Sequence, residues 1–312
     1  MSALFSPYAL GPLALRNRIA IAPMCQYSAT DGNASDWHMM HLVQLATSGA
    51  GLLVIEATAV EDMGRITASD LGLYSDANQA ALAPVLAAIR RYSGIKVAVQ
   101  LAHAGRKASS QVPWQGGQQI APGVPGGWDT VAPSALPHGP TELAPLALDD
   151  AGLARVKAAF VQAAQRAHAL GIDAIELHGA HGYLLHQFLS PLANQRTDAY
   201  GGSLQNRMRF PLEVFEAVRA AVPASMPVGI RISASDWVGG GWEVEQSVVL
   251  GQALAQRGCA FMDVSSGGVS PLQNIPLVPG YQVPFAHRIK EACGMPTFAV
   301  GLITEPAQAE AI

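Results

Sequence analysis

Three histidines and a tyrosine fall together in His178-Gly-Ala-His181-Gly-Tyr183-Leu-Leu-His186, directly after the apolar run Ala174-Ile-Glu-Leu. Two imidazoles so close can both donate a hydrogen bond to one oxygen, and a neighbouring phenol can supply a proton. With His186 nearby, the H-x-x-H pair also has the look of a metal site. Against that, no carboxylate stands among the three histidines, and a strand end does not give the i, i+4 spacing of a zincin helix. Hydrogen-bonded loop structure is the plain alternative; the strand-end position and the adjacent Tyr183 favour chemistry. Two further polar clusters also follow apolar stretches: Pro23-Met24-Cys25-Gln26-Tyr27, and Gln100-Leu-Ala-His103-Ala-Gly-Arg106-Lys107. His38, His41 and His103 read as satisfied polar groups near the rim or within loops.

Such groups need elements that deliver them out of a packed interior. Arg18 to Ala22 reads as a first strand, followed by a helix from Trp37 to Ser48 capped by Ser35 or Asp36, and by a strand Leu52 to Glu56. Ser75 or Asp76 caps a helix through Arg91, and Lys96 to Gln100 forms the third strand. Asp149 or Asp150 starts a helix that Gly171 ends, and the fourth strand, Ala174 to Leu177, leads into the histidines. A helix from Leu204 to Ala221, capped by Ser203, precedes strand five at Val228 to Ser233. Helices at Glu243 to Arg257 and Val283 to Cys293 precede strands at Phe261 to Ser265 and Thr297 to Val300, and Thr304 caps one more helix start with Pro306 in its first turn. The Pro- and Gly-crowded stretch 105–147 is long for a loop and reads as a lid or short hairpin over the site.

Strands alternating with helices in this way predict an α/β fold, a (β/α)8 barrel in which residues 1–312 form one domain. The first strand–helix turn has no G-x-G-x-x-G, which weakens a doubly wound open sheet. An eighth strand is not visible before Ile312, and the expectation is an incompletely closed barrel with two exposed edges, prone to associate and weak in phosphate binding. In a barrel, the C-terminal strand ends are where active sites form, and all three clusters fall there.

Composition narrows the partners. With 19 Lys plus Arg against 23 Asp plus Glu, there is no basic field for nucleic acid or an anionic membrane, which leaves small molecules. Cys25, Cys259 and Cys293 lie far apart, arguing against a disulfide framework or a four-cysteine metal site and suiting a reducing cytoplasm. No leader is visible at the N-terminus, and no apolar run approaches the ~20 residues of a membrane span. No metal is expected.

Taken in order, Pro23-Met-Cys-Gln-Tyr27, Glu56-Ala-Thr58, Gly64-Arg-Ile-Thr67, Gln100 to Lys107, His178 to Tyr183, and Arg196-Thr-Asp-Ala-Tyr-Gly-Gly-Ser203 with Asn206-Arg207 resemble the old yellow enzyme family of flavin-dependent ene-reductases. They are similar to its cysteine-containing subclass, which includes xenobiotic reductases and thermophilic-type enzymes. The resemblance covers essentially the whole chain. It implies FMN over the strand ends, with Ala22, Pro23, Met24 and Cys25 lining the ring, Ala57 offering a small side chain, and Gln100 bonding the pyrimidine edge. Arg231 would stand where negative charge develops on reduction. Gly301 would reach the phosphate, without the Gly-Arg pair the family carries on strand eight.

By the same resemblance, NADPH or NADH is the hydride donor. The substrate is a small activated alkene, such as an enone, enal, maleimide or nitroalkene. His178 and His181 bind its oxygen, Tyr183 protonates it, Tyr27 closes the pocket, and Cys25 tunes the flavin unless it is simply a small buried hydrophobe. Relatives are commonly dimers or tetramers. Two other readings compete: a dienoyl-thioester reductase, whose iron-sulfur domain these three cysteines do not supply, and a non-catalytic barrel remnant.

Overall fold

The computed structural model describes residues 2–312. A hairpin, β1 (Tyr8–Leu10) and β2 (Leu13–Leu15), precedes a repeating strand and helix order. It runs β3 (Ala20–Ile21), α1 (Asp36–Ala46), β4 (Leu52–Ala59), α2 (Asp76–Tyr92) and β5 (Lys96–Ala102). The segment with β6 (Val131–Ala132) and β7 (Leu146–Ala147) follows, then α3 (Asp150–Ala169), β8 (Ala174–Gly179), α4 (Leu184–Leu189) and α5 (Leu204–Ala221). The remainder is β9 (Val228–Ser233), α6 (Val244–Ala255), β10 (Met262–Ser265), α7 (Val283–Cys293), β11 (Thr297–Ala299) and α8 (Pro306–Ala311). The strands β3, β4, β5, β8, β9, β10 and β11 pair in that order, every neighbour parallel, as one 7-stranded sheet.

The sheet has two apolar sides. Outward residues such as Ile175 and Leu177 pack under helices on residues such as Phe160 and Phe215, while inward residues Leu52, Val54, Ala98, Ala174 and Phe261 meet Leu10, Leu13 and Leu15 of the hairpin. The hairpin therefore plugs the N-terminal end of a curled sheet, a (β/α)8 barrel architecture. Gly229 is obligatory in that plug, since a Cβ there would stand 2.4 Å from the Phe261 ring. Among the described residues, β3 and β11 are the sheet's edges. Near them Glu310 of α8 accepts hydrogen bonds from Ala3 N (2.5 Å), Leu4 N (3.1 Å) and the Ser2 hydroxyl.

Several expectations are corrected. Strand one is shorter than Arg18 to Ala22, because the Arg18 N–H bonds to Leu4 O and the Ile19 N–H to Asn17 Oδ1 instead of to a strand neighbour. Between residues 105 and 147, β6 and β7 pair parallel, Val131 with Leu146 and Ala132 with Ala147, and an isolated antiparallel bridge joins Ser110 to Gln119. The fourth strand continues to Gly179, so His178 is the last inward residue of β8 and does not follow it. A short buried helix that the strand and helix reading above does not include, α4, follows β8. Among the described residues no helix is long and apolar enough to cross a membrane.

Candidate active site

Alternation along β8 turns Ala174, Glu176 and His178 into the barrel. The chain then bends sharply, with His181 held at φ 57, a left-handed conformation uncommon for a residue with a Cβ. Three contacts hold it there: the His181 N–H donates to Ser233 Oγ (2.9 Å), and Lys107 Nζ donates to His181 O (2.9 Å) and to Gly268 O (3.1 Å). As a result the His178 and His181 rings lie 5.2 Å apart at 81°, and the Tyr183 ring lies 5.0 Å from His178. The bend thus gathers the three residues expected to act together. Burial, followed by the Arg231 charge, holds both imidazoles well below the ordinary histidine range, so they are neutral at pH 7. Burial likewise holds the Tyr183 phenol above its ordinary range, so it keeps its proton.

The two imidazoles differ in their hydrogen bonds. His178 Nδ1 is buried with no partner. His181 Nε2 lies 2.7 Å from Ser265 Oγ. His186, the third member of the sequence cluster, turns away and bonds Asp236 at 2.8 Å. The three imidazoles do not converge, and among the described residues no group of three or more His, Cys, Asp or Glu is arranged to hold a metal ion.

Below the histidines lies a charged layer that sequence reasoning missed except for two members. Gln100 Nε2 donates to Glu176 Oε1 at 2.7 Å, and Arg231 Nε lies 3.0 Å from Asp263 Oδ2 but is not aligned to hydrogen-bond it. Glu176 Oε2 and Asp263 Oδ1 are buried without partners. Asp263 lies against the Arg231 guanidinium and Glu176 does not; burial raises both carboxyls, and the Asp263 charge pushes Glu176 further upward, so Glu176 holds a proton. The acidic residues sat inside strand patterns, where their facing could not be told apart from a solvent edge before the register was known.

The strand-one cluster is set by a bulge in β4. The register slips between Ile55 and Ala57, which turns Glu56 under the loop. Glu56 Oε2 accepts the Gln26 N–H (2.8 Å), and Glu56 Oε1 is 3.3 Å from His38 Nε2. His38 lies within α1, where its Nδ1 accepts the Ser35 N–H at 3.0 Å, but its buried Nε2 is not aligned to hydrogen-bond Glu56, so it is only partly satisfied, contrary to expectation. Ala22, Pro23 and Cys25 are half-buried and Met24 is 54% exposed, beside the buried Ala57. Burial, then the Asp70 and Glu56 charges, raises Cys25, which is a thiol at neutral pH and not an activated thiolate. Tyr27, at φ 51, packs edge-on to Trp114 (5.7 Å). With Thr67, Lys107, His138 and Glu142 it lines a cavity of about 210 Å³ against the 105–147 segment.

Lys107 is the functional residue least expected from sequence, where it was only the end of a motif. Its ammonium lies 5.0 Å over the Tyr183 ring, and desolvation lowers it to about 8. At the far rim, Gly301 sits at φ 114 with a Cβ position 3.1 Å from the Gln282 amide, so a side chain there would be strained. Its carbonyl accepts the Gly280 N–H at 2.8 Å.

Comparison with known proteins agrees with this arrangement. The family model described as NADH:flavin oxidoreductase / NADH oxidase matches residues 3–312. The NADPH dehydrogenase of Listeria innocua is 42% identical over 314 residues, covering 100% of this chain and 87% of that protein. Among solved structures, morphinone reductase in complex with tetrahydroNAD superposes with a TM-score of 0.81 at 29% identity, covering 100% of this chain and 83% of that one. An old yellow enzyme homologue from Zymomonas mobilis superposes at 0.78 with 25% identity, covering 97% and 83%. The chain belongs to the NADH:flavin oxidoreductase / NADH oxidase family, as an oxidoreductase of the old yellow enzyme type that uses FMN with NADPH or NADH as hydride donor.

Proposed function

We propose that this enzyme reduces the C=C bond of activated alkenes, the enones, enals, maleimides and nitroalkenes, and that it belongs to the cysteine-containing subclass. Bound FMN supplies a hydride carrier between the nicotinamide and the alkene. The residues at the strand ends suit it. Gln100 gives its amide N–H to Glu176 and keeps its oxygen for the cofactor's pyrimidine edge. The Arg231 guanidinium, with an Nε that has no hydrogen-bond partner, adds fixed positive charge beneath. Ala22, Pro23, Met24, Cys25 and Ala57 form a wall of small or flexible side chains, and Gly301 admits a phosphate close to backbone.

The reading rests on one observation above others: two neutral imidazoles set at 81° with a protonated phenol 5.0 Å from the first, all at the C-terminal end of β8. His178 and His181 hydrogen-bond the alkene's carbonyl or nitro oxygen and stabilise the negative charge that develops there. For His181 to donate from Nδ1, its Nε2 must accept from the Ser265 hydroxyl, and the 2.7 Å contact there is shorter than the 3.3 Å from Ser265 to Gln282. Tyr183 delivers its proton to the α-carbon. Cys25, kept as a thiol, tunes potential and attacks nothing. Tyr27 closes the substrate side, and the 105–147 segment serves as a lid over the adjoining cavity.

A binding experiment tests this. Removing both imidazoles (His178→Ala with His181→Ala) should weaken p-hydroxybenzaldehyde, whose phenolate imitates the charged substrate oxygen, by an order of magnitude or more, since each charge-assisted bond contributes roughly 1.5–3 kcal/mol. Unchanged charge-transfer absorbance on titrating the FMN-loaded double variant would refute the assignment.

A further inference from the structure

His186 and Asp236 lie outside the group that faces the mouth, yet both are 0% exposed and bonded at 2.8 Å between His186 Nε2 and Asp236 Oδ1. On its other side the ring meets the active-site bend, where the Gly182 N–H donates to His186 Nδ1 at 2.9 Å. A ring nitrogen that accepts a backbone N–H carries no proton, so the hydrogen stands on Nε2 and points at the carboxylate. Asp236 is itself fixed, accepting from Ser190 Oγ (2.6 Å) and the Trp242 N–H (2.7 Å). The carboxylate therefore selects the tautomer that can receive Gly182.

Gly182 links His181 to Tyr183 and has little freedom of its own. It sits at φ 76, and a Cβ there would lie 2.1 Å from Gly268 O. Its carbonyl already accepts from Gln187 Nε2 at 2.7 Å. The residue is buried, so its N–H has His186 or nothing, and a buried N–H without a partner is costly. We infer that His186 and Asp236 are positioning residues: by fixing the Gly182 peptide they set His181 and Tyr183 in the geometry that receives a ligand oxygen. The inference rests on the reading of His178, His181 and Tyr183 given above.

Two conservative variants separate the two halves of the ring. His186→Asn keeps an amide oxygen near the place of Nδ1 and loses the bond to Asp236, whereas His186→Gln reaches Asp236 and loses the acceptor for Gly182. Ser190→Ala removes one bond to Asp236 without touching the bend and serves as a stability control. Three quantities are read: Gly182 amide hydrogen exchange by NMR in glycine-labelled protein, p-hydroxybenzaldehyde affinity of the FMN-loaded enzyme, and Tm. In His186→Gln, Gly182 exchange should rise about tenfold or more and affinity fall about tenfold, a factor that corresponds to one lost hydrogen bond. His186→Asn should keep both within about twofold of wild type. Ser190→Ala should lower Tm and leave affinity unchanged.

Wild-type affinity in His186→Gln, or affinity that follows Tm across all three variants, overturns the positioning role. Should His186→Asn fail to fold, His186→Gln against Ser190→Ala carries the same decision. If the His178→Ala and His181→Ala enzyme binds the phenol like wild type, the site reading has failed instead, and Gly182 exchange alone decides whether His186 holds the bend.

Discussion

The Tyr183 phenol and the Cys25 thiol are both held in their protonated forms by burial, and they are assigned different tasks. Tyr183→Phe should slow cyclohexenone reduction about 10²-fold or more, the usual cost of losing a positioned acid, while anaerobic NADPH oxidation in the first turnover stays nearly intact. Stopped-flow separates the two; equal slowing of both would make Tyr183 a wall of the pocket. Cys25→Ser should shift the cofactor's reduction potential and redistribute rates without removing activity, and mass spectrometry should find no Cys25 adduct with an ordinary enone during turnover. At this scale the sequence was informative where residue type and spacing coincide. His178, His181 and Tyr183 could be picked out because three side chains with proton chemistry cluster at the end of one apolar run. Ser265 and Lys107 could not, because their importance lies in contacts 84 and 74 residues away in sequence, to the His181 ring and the His181 carbonyl.

Among the elements, the inward face of β8 and its neighbours carries the charged layer, and Glu176 offers a test of it. Its folded value is raised to about 8, against an ordinary carboxyl near about 4.3. Between these, the native state keeps a proton that the unfolded chain has released, so this group's contribution to stability declines as pH rises through that window. Glu176→Gln does not titrate, so its stability relative to wild type should improve from pH 5 to pH 8 in urea unfolding. A relative stability of Glu176→Gln that stays constant or falls from pH 5 to pH 8 would place the proton elsewhere. Elements with strong local signals were legible: Ser75, Asp149 and Ser203 cap helices where expected, each accepting an N–H from three residues on. The hairpin of β1 and β2, the short bounds of β3 and the parallel pair of β6 and β7 were not. Each is short, and the hairpin's place inside the sheet is decided by Leu52, Val54 and Phe261, distant in the chain.

For the whole molecule, the hairpin plug ties the barrel's base to its stability. Leu10, 0% exposed, packs with Leu52, Val54 and Phe261 inside the sheet. Leu10→Ala should cost about 2–5 kcal/mol in urea unfolding and leave p-hydroxybenzaldehyde affinity unchanged, because the cavity forms at the end remote from the histidines. A loss below about 1 kcal/mol would mean that the hairpin packs loosely and does not seal the barrel.

Activated-alkene reduction is the claim on which the residue roles depend. It is tested most directly by mixing the FMN-loaded protein with NADPH and cyclohexenone under nitrogen, following absorbance and identifying the product. The account predicts NADPH oxidation that depends on the enone, with cyclohexanone formed in equal amount and loss of that coupling in the His178→Ala, His181→Ala enzyme. FMN-loaded wild-type protein that oxidises NADPH but leaves the enone unreduced would contradict it.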